Sequence, residues 1–328
     1  MKNKYMFTAV MLCAILLVGM GFTSLYVRQT AGETKNHDLT VVTSFYPMYI
    51  AAMNVIDDAE HVKLKNLSEP QTGCLHDFQL TPEDMKLLST ADVFIINGGG
   101  IENFMEEVAK TYPNLTIIEA CKNTSLLAED IYENGHEKDE HAGEAHEEGH
   151  VHEDTDVNAH AWMSVSAYES QVQTIAEGLS QADPKHREKY ETSAGEYLEK
   201  LDKLKARQEQ IREEAAGQSV ILFHEAYAYV AEDYGLPVSY VMDLDEERKV
   251  SAGEVASVLS AIKNNQTKII LAEERYGKSM GDTVSAESDA KVLYLSPLNR
   301  GEYEKDSYID GMEKNMEILE EAFHAQNH

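Results

Sequence analysis

Positive charge is scarce in this chain. It carries 28 Lys and Arg against 58 Asp and Glu in 328 residues, a formal net charge of −30. A surface this acidic repels phosphate, which excludes nucleic acid and anionic membrane surfaces as partners and favours cations. Cysteine is also sparse: Cys13, Cys74 and Cys121 are the full set, too few for a scaffold built on disulfides. No zinc-protease motif on a helical pattern and no strand-to-helix nucleophile elbow is readable, so nothing local announces a hydrolase. There is no solenoid-length repeat.

Several features are present in their place. Lys2 and Lys4 precede an uncharged run from Tyr5 to Val27. A run of roughly 20 apolar residues is long enough to span a bilayer, and the lysines hold its near end in the cytoplasm. Residues 1–30 therefore read as a signal peptide or, if uncleaved, a membrane anchor through residues 5–27. Cys13 follows Met-Leu and lies too early for a lipoprotein site. Either way the rest of the chain is expected outside the cytoplasm, at the cell surface or in the periplasm, where a Cys74–Cys121 disulfide is allowed.

From residue 39 strand and helix patterns alternate. LTVVTSF (39–45), VKLKNL (62–67), ADVFIING (91–98) and LTIIEA (115–120) read as strands, and Thr81-Pro82-Glu83-Asp84 as a helix start. After residue 183 one long helix carries Tyr190, Ala194, Tyr197, Leu201, Leu204 and Ile211 as a single apolar stripe. A second alternating series follows: SVILFHE (219–225), LPVSYVM (236–242), KIILAEE (268–274) and KVLYLSP (291–297), with Ser251 and Glu254 as a capping box. The expected fold is α/β, with two lobes of mostly parallel sheet covered by helices and joined by one long rigid helix. The expected bounds are 38–165 for the N-terminal lobe, 166–217 for a helical segment with the linking helix at about 184–214, and 218–328 for the C-terminal lobe.

In open α/β sheets ligands sit beyond the carboxyl ends of strands. Three histidines fall at such places: His76 in GCLHDF, His160 in NAHAW and His224 in LFHEAY. Glu273 and Glu274 end a strand in LAEERY. Three imidazoles plus a carboxylate or water fill the tetrahedral shell of zinc. Imidazole binds metal only when neutral, so affinity should fall below about pH 6.5.

The motifs GCLHDFQLTPEDM, ADVFIINGGGIENF, NAHAWMS, ILFHEAYAYV and LYLSPL, with the long helix after Asp183-Pro184, resemble the metal-binding solute-binding proteins of bacterial zinc and manganese ABC importers. The likeness covers residues 39–326. It implies two α/β lobes joined by a rigid helix, with metal in the cleft, and makes His76, His160 and His224 the ligands. Glu273 is the implied fourth ligand, with water as its competitor and Glu274 or Asp77 further off. Manganese members of the family resemble this chain but place a carboxylate at the His224 position and an aspartate near where Gly277 stands here. Nitrogen-rich ligation suits zinc. Two departures stand out: Asn158-Ala159-His160 replaces a frequent Asp-Pro-His, and Leu75 precedes His76 with Cys74, a soft alternative ligand, two places back.

The resemblance also gives meaning to residues 133–156, ENGHEKDEHAGEAHEEGHVHEDTD, which hold five histidines among carboxylates. Zinc-specific members insert a segment of this kind before the second ligand. His136, His141, His146, His150 and His152 are expected to serve as weak accessory sites that raise the local zinc concentration; the bland reading is an acidic spacer. The resulting expectation is a monomeric extracytoplasmic zinc receptor, not an enzyme, that delivers Zn2+ to a membrane permease. The alternatives are a manganese or other divalent-metal receptor, a metal-dependent surface adhesin or, remotely, a zinc hydrolase using Glu225 or Asp77 as general base.

Overall fold

The computed structural model describes residues 38–69, 78–128, 157–242, 244 and 249–326. The run 5–27, the loop with Cys74, His76 and Asp77, and the histidine-rich segment all lie outside the described residues. Among the described residues no helix is long and apolar enough to cross a membrane.

The N-terminal sheet is built from β1 (Leu39–Thr43), β2 (Val62–Asn66), β3 (Val93–Ile96) and β4 (Thr116–Glu119), all parallel, in the order β2-β1-β3-β4. Helices α1 (Tyr46–Ile56), α2 (Pro82–Leu88) and α3 (Met105–Thr111) connect them. The predicted start of α2 is realised as a capping box: Thr81 Oγ1 accepts from Asp84 N, and Asp84 accepts from Thr81 N. A short antiparallel pair, β5 (Leu127–Ala128) and β6 (Val157–Asn158), follows and brings the two ends of the histidine-rich excursion together, with Ala128 opposite Val157.

Ser164 then caps α4 (Val165–Ala182), and Pro184–His186 form one 3-10 turn before α5 (Arg187–Glu214). The buried positions of α5 include all six residues of the predicted stripe, from Tyr190 to Ile211. This helix packs against α1, α4 and two C-terminal helices, α6 (Tyr227–Tyr234) and α9 (Ser307–Gln326).

The C-terminal sheet contains β7 (Val220–Leu222), β8 (Val238–Val241), β9 (Ile269–Ala272) and β10 (Lys291–Tyr294), again parallel, in the order β10-β9-β7-β8. Its remaining helices are α7 (Ala252–Asn265), whose Ser251–Glu254 capping box is present, and α8 (Glu274–Glu287). In order of appearance, both sheets pair their strands 2-1-3-4, so each has its topological switch point between its first and third strands. One continuous core joins the N-terminal sheet, α5, α9 and one face of the C-terminal sheet through Leu222, Leu271 and Leu293; α7 and α8 cover the other face through Ile221, Phe223, Ile270 and Ala272.

Cys121 is a free, buried thiol whose Sγ lies 3.0 Å from Gln171 Nε2, an amide donor, while Cys74 lies outside the described residues. Burial pushes its pKa up to about 12. The residue is part of the packing between β4 and α4, where a small apolar side chain suffices.

Candidate metal centre

His160 sits directly after β6, not after the fourth strand of the sheet, and its ring is fully buried. Asn158 sets that ring. Its Oδ1 accepts from His160 N at 3.0 Å and faces His160 Nδ1 at 2.9 Å. A backbone N–H donates to this atom, so it is the amide oxygen, and Nδ1 must carry the ring proton. In the neutral ring the lone pair is therefore on Nε2, the tautomer a metal-binding imidazole needs. Asn158 is itself held, because its Nδ2 donates to Glu225 O at 2.9 Å and Tyr229 Oη donates to its carbonyl at 2.7 Å. Glu225 Oε1 lies 3.4 Å from His160 Nδ1.

A second support reaches the His160 turn from β3. Asn97 Nδ2 donates to Ala159 O at 2.9 Å, and Asn97 Oδ1 accepts from Gln171. The backbone at Asn97 and at Gly98, whose φ is +84°, points both N–H groups at the buried Glu102 carboxylate, which also accepts from Ser44 Oγ. Burial raises the Glu102 pKa to about 7 against these donors. The switch point of the N-terminal sheet is thus filled by its own carboxylate.

At the C-terminal sheet's switch point stand His224 and Glu273. Leu222 pairs with Leu271, and each of the two residues lies two places further along its strand. His224 is 5% exposed, and Ala226 N donates to its Nδ1 at 2.9 Å, so in the neutral ring the proton is on Nε2. Binding a cation through Nε2 requires that proton to move to Nδ1 and the Ala226 contact to open.

The rings of His160 and His224 come together from opposite halves of the chain, with centroids 5.0 Å apart and planes at 89°. Two imidazoles on one tetrahedral zinc, with Zn–N near 2.0–2.1 Å, place their centroids about 5 Å apart. The spacing fits one shared cation. His76 lies outside the described residues, and among those described no group of three or more His, Cys, Asp or Glu is gathered to hold a metal. Glu273 is turned to Arg300, with Oε1 3.2 Å from Nη2. Burial raises its pKa, opposed by Arg300 and then by Arg275.

Asn158 and Arg300 escaped the sequence reading as site residues, and Glu225 was considered only as the general base of a hydrolase, not as a neighbour of the His160 ring. An Asn two places before a histidine is a common local hydrogen-bonding pattern, so Asn158 had a faint signal; the others acquire their partners only in three dimensions. Two hydrolase signatures match in letters alone. Gly277-Lys278-Ser279-Met280-Gly281 lies inside α8, not at a strand end, and His146-Glu147-Glu148-Gly149-His150 belongs to the acidic segment outside the described residues.

Truncating the Asn158 support is expected to weaken zinc binding without removing a ligand. Asn158→Ala should lower affinity roughly 10–100-fold, the usual effect of losing a partner behind a ligand, measured by competition with a chromophoric chelator.

Comparison with known proteins places this geometry in a lineage. The family described as "ZnuA: Zinc-uptake complex component A periplasmic" matches residues 41–322. The High-affinity zinc uptake system protein ZnuA of Bacillus subtilis (strain 168) is 28% identical over 316 residues, 94% of each chain. The Zinc-binding protein AdcA of Streptococcus pyogenes is 29% identical over 97% of this chain, which spans 61% of that relative's length. Among solved structures, the SBP FpvC from Pseudomonas aeruginosa in complex with Mn2+ matches with a TM-score of 0.73 and 25% identity over 88% of this chain and 99% of that one. Zn(II)-bound AdcA from Streptococcus pneumoniae matches with 0.69 and 26% over 87% and 57%. With nearly its whole length past residue 40 matched, the chain belongs to the ZnuA family of periplasmic zinc-uptake complex components.

Proposed function

We propose that this protein is an extracytoplasmic zinc receptor of an ABC-type importer: it captures Zn2+ and hands it to the membrane permease. The observation that carries the reading is the His160–His224 pair, two buried imidazoles from opposite halves of the chain at the spacing of a shared tetrahedral cation. His76, from the loop after β2, supplies the third nitrogen in this proposal. The fourth position falls to water, or to Glu273 if that carboxylate leaves Arg300. The protein acts as a monomer without enzymatic activity and without nucleic acid, held at the membrane through residues 5–27 unless the leader is cleaved. The shift required at His224 supplies a route for release, since docking that closes the Ala226 contact would return the proton to Nε2 and expel the cation.

The histidine-rich segment, in this reading, collects zinc without forming the tight site. The β5–β6 pair makes the test clean. Replacing residues 129–156 with Asn-Gly joins Ala128 to Val157 by a two-residue hairpin turn and leaves both sheets untouched. Zinc titration should show one tight site per chain before and after the replacement, with only the weak binding lost. Disappearance of the tight site would put the metal in the deleted segment and sink the assignment.

A further inference from the structure

Glu273 stands beside His224 at the end of the neighbouring strand, the place from which a carboxylate would join the cation shell. It does not stand there alone. The segment after β10 delivers Arg300, and the two charges meet at 3.2 Å while only 15% and 12% exposed. Arg300 cannot easily follow Glu273 elsewhere. Its Nε donates to Asn299 Oδ1, and its guanidinium lies 5.8 Å over the Tyr276 ring. The segment beyond it is pinned to the N-terminal half at three points: Tyr46 Oη donates to Glu302 O, Asn66 Nδ2 donates to Tyr303 Oη, and Lys305 pairs with Asp57. Arg300 Nη1 is already buried without a hydrogen-bond partner. If Glu273 turned to a cation, the guanidinium would lose its counter-charge as well, and a buried charge stripped of its partner is strongly disfavoured.

The next place in α8 from which oxygen could come is also closed. A Cβ at Gly277 would lie 2.9 Å from Ala272 Cβ, so the helix packs too tightly on β9 to carry a side chain there.

We propose that Arg300 is a specificity-determining residue of the cation site. By holding Glu273 it keeps carboxylate oxygen out of the shell, leaving imidazole nitrogen and water. Nitrogen donors favour zinc, and added carboxylate oxygen moves a site towards manganese. This rests on the zinc-receptor reading and deepens it.

The test measures Zn2+ and Mn2+ affinities by competition for the wild-type chain, Arg300→Met and the double variant that adds Glu273→Gln. Releasing Glu273 in Arg300→Met should raise manganese affinity relative to zinc by about tenfold or more. Adding Glu273→Gln should return the ratio to that of the wild type. An unchanged ratio in a folded Arg300→Met overturns the proposal, as does a tenfold or larger loss of zinc affinity in the double variant, which lacks both charges and would thereby show Glu273 to be a ligand. If Arg300→Met does not fold, the double variant, in which neither charge is left unpaired, decides. Failure of the underlying reading looks different: the wild-type chain would not bind zinc, or His224→Ala would bind it equally well.

Discussion

Replacing His224 with alanine should lower zinc affinity by roughly a thousandfold, about 4 kcal/mol, while the chain stays folded. Removing a ligand must cost more than removing the group behind it, for which 10–100-fold is usual, and the tetrahedral shell would retain only two of its proposed protein nitrogens. His224 is the cleaner choice of the two visible imidazoles. The His160 ring packs 5.1 Å from Trp162, so its removal mixes ligation with core damage. Loss of the His224 ring orphans the Ala226 N–H, which costs stability on the order of 1–3 kcal/mol. Thermal unfolding of the metal-free variant measures that part separately. Competition against a chromophoric chelator at pH 7.5 reads the affinity. Repeating it at pH 5.5 should weaken the wild-type site as imidazoles protonate. Wild-type affinity in His224→Ala would show that the cation sits elsewhere.

The second large effect is expected at Trp162, the only tryptophan in the chain. Trp162→Ala should destabilise the metal-free protein by about 3–5 kcal/mol, the range for emptying a large aromatic site in a core. The residue is fully buried and meets Phe45 edge-on at 5.0 Å. Its indole Nε1 donates to Pro297 O at 2.9 Å, and its own carbonyl accepts from Tyr308 Oη at 2.8 Å. Trp162 thereby joins the turn that carries His160 to the C-terminal segment, and its loss leaves both a cavity and an unpaired buried carbonyl. Urea unfolding followed by far-UV circular dichroism tests this, because the variant has no tryptophan fluorescence. A loss below about 1 kcal/mol would mean that the site collapses around the deletion. In the wild-type chain the indole next to His160 gives a direct optical reporter of zinc loading.

Much of the molecule was legible because its signals are local. A proline behind a capping threonine starts α2, the Ser251–Glu254 capping box starts α7, and the stripe from Tyr190 to Ile211 is the buried face of α5. His160 and His224 drew notice because, together with His76, they were read at strand ends in both halves of the chain, where ligands of open α/β sheets sit. Their support was not legible. Nothing near Glu273 in sequence points to Arg300, and nothing near Cys121 points to Gln171, whose amide meets its sulfur.

By itself, the sequence determined the alternating elements, the acidic surface that favours cations, the long helix and the family of the fold. Periodicity, capping and composition act over a few residues and survive any arrangement of the chain. Only the tertiary structure decided the 2-1-3-4 pairing of both sheets, the tautomer that Asn158 imposes on His160, and the pairing of Glu273 with Arg300. Each depends on groups that meet only after the backbone has folded, and at those meetings burial and hydrogen-bond geometry, not residue type, select the partner.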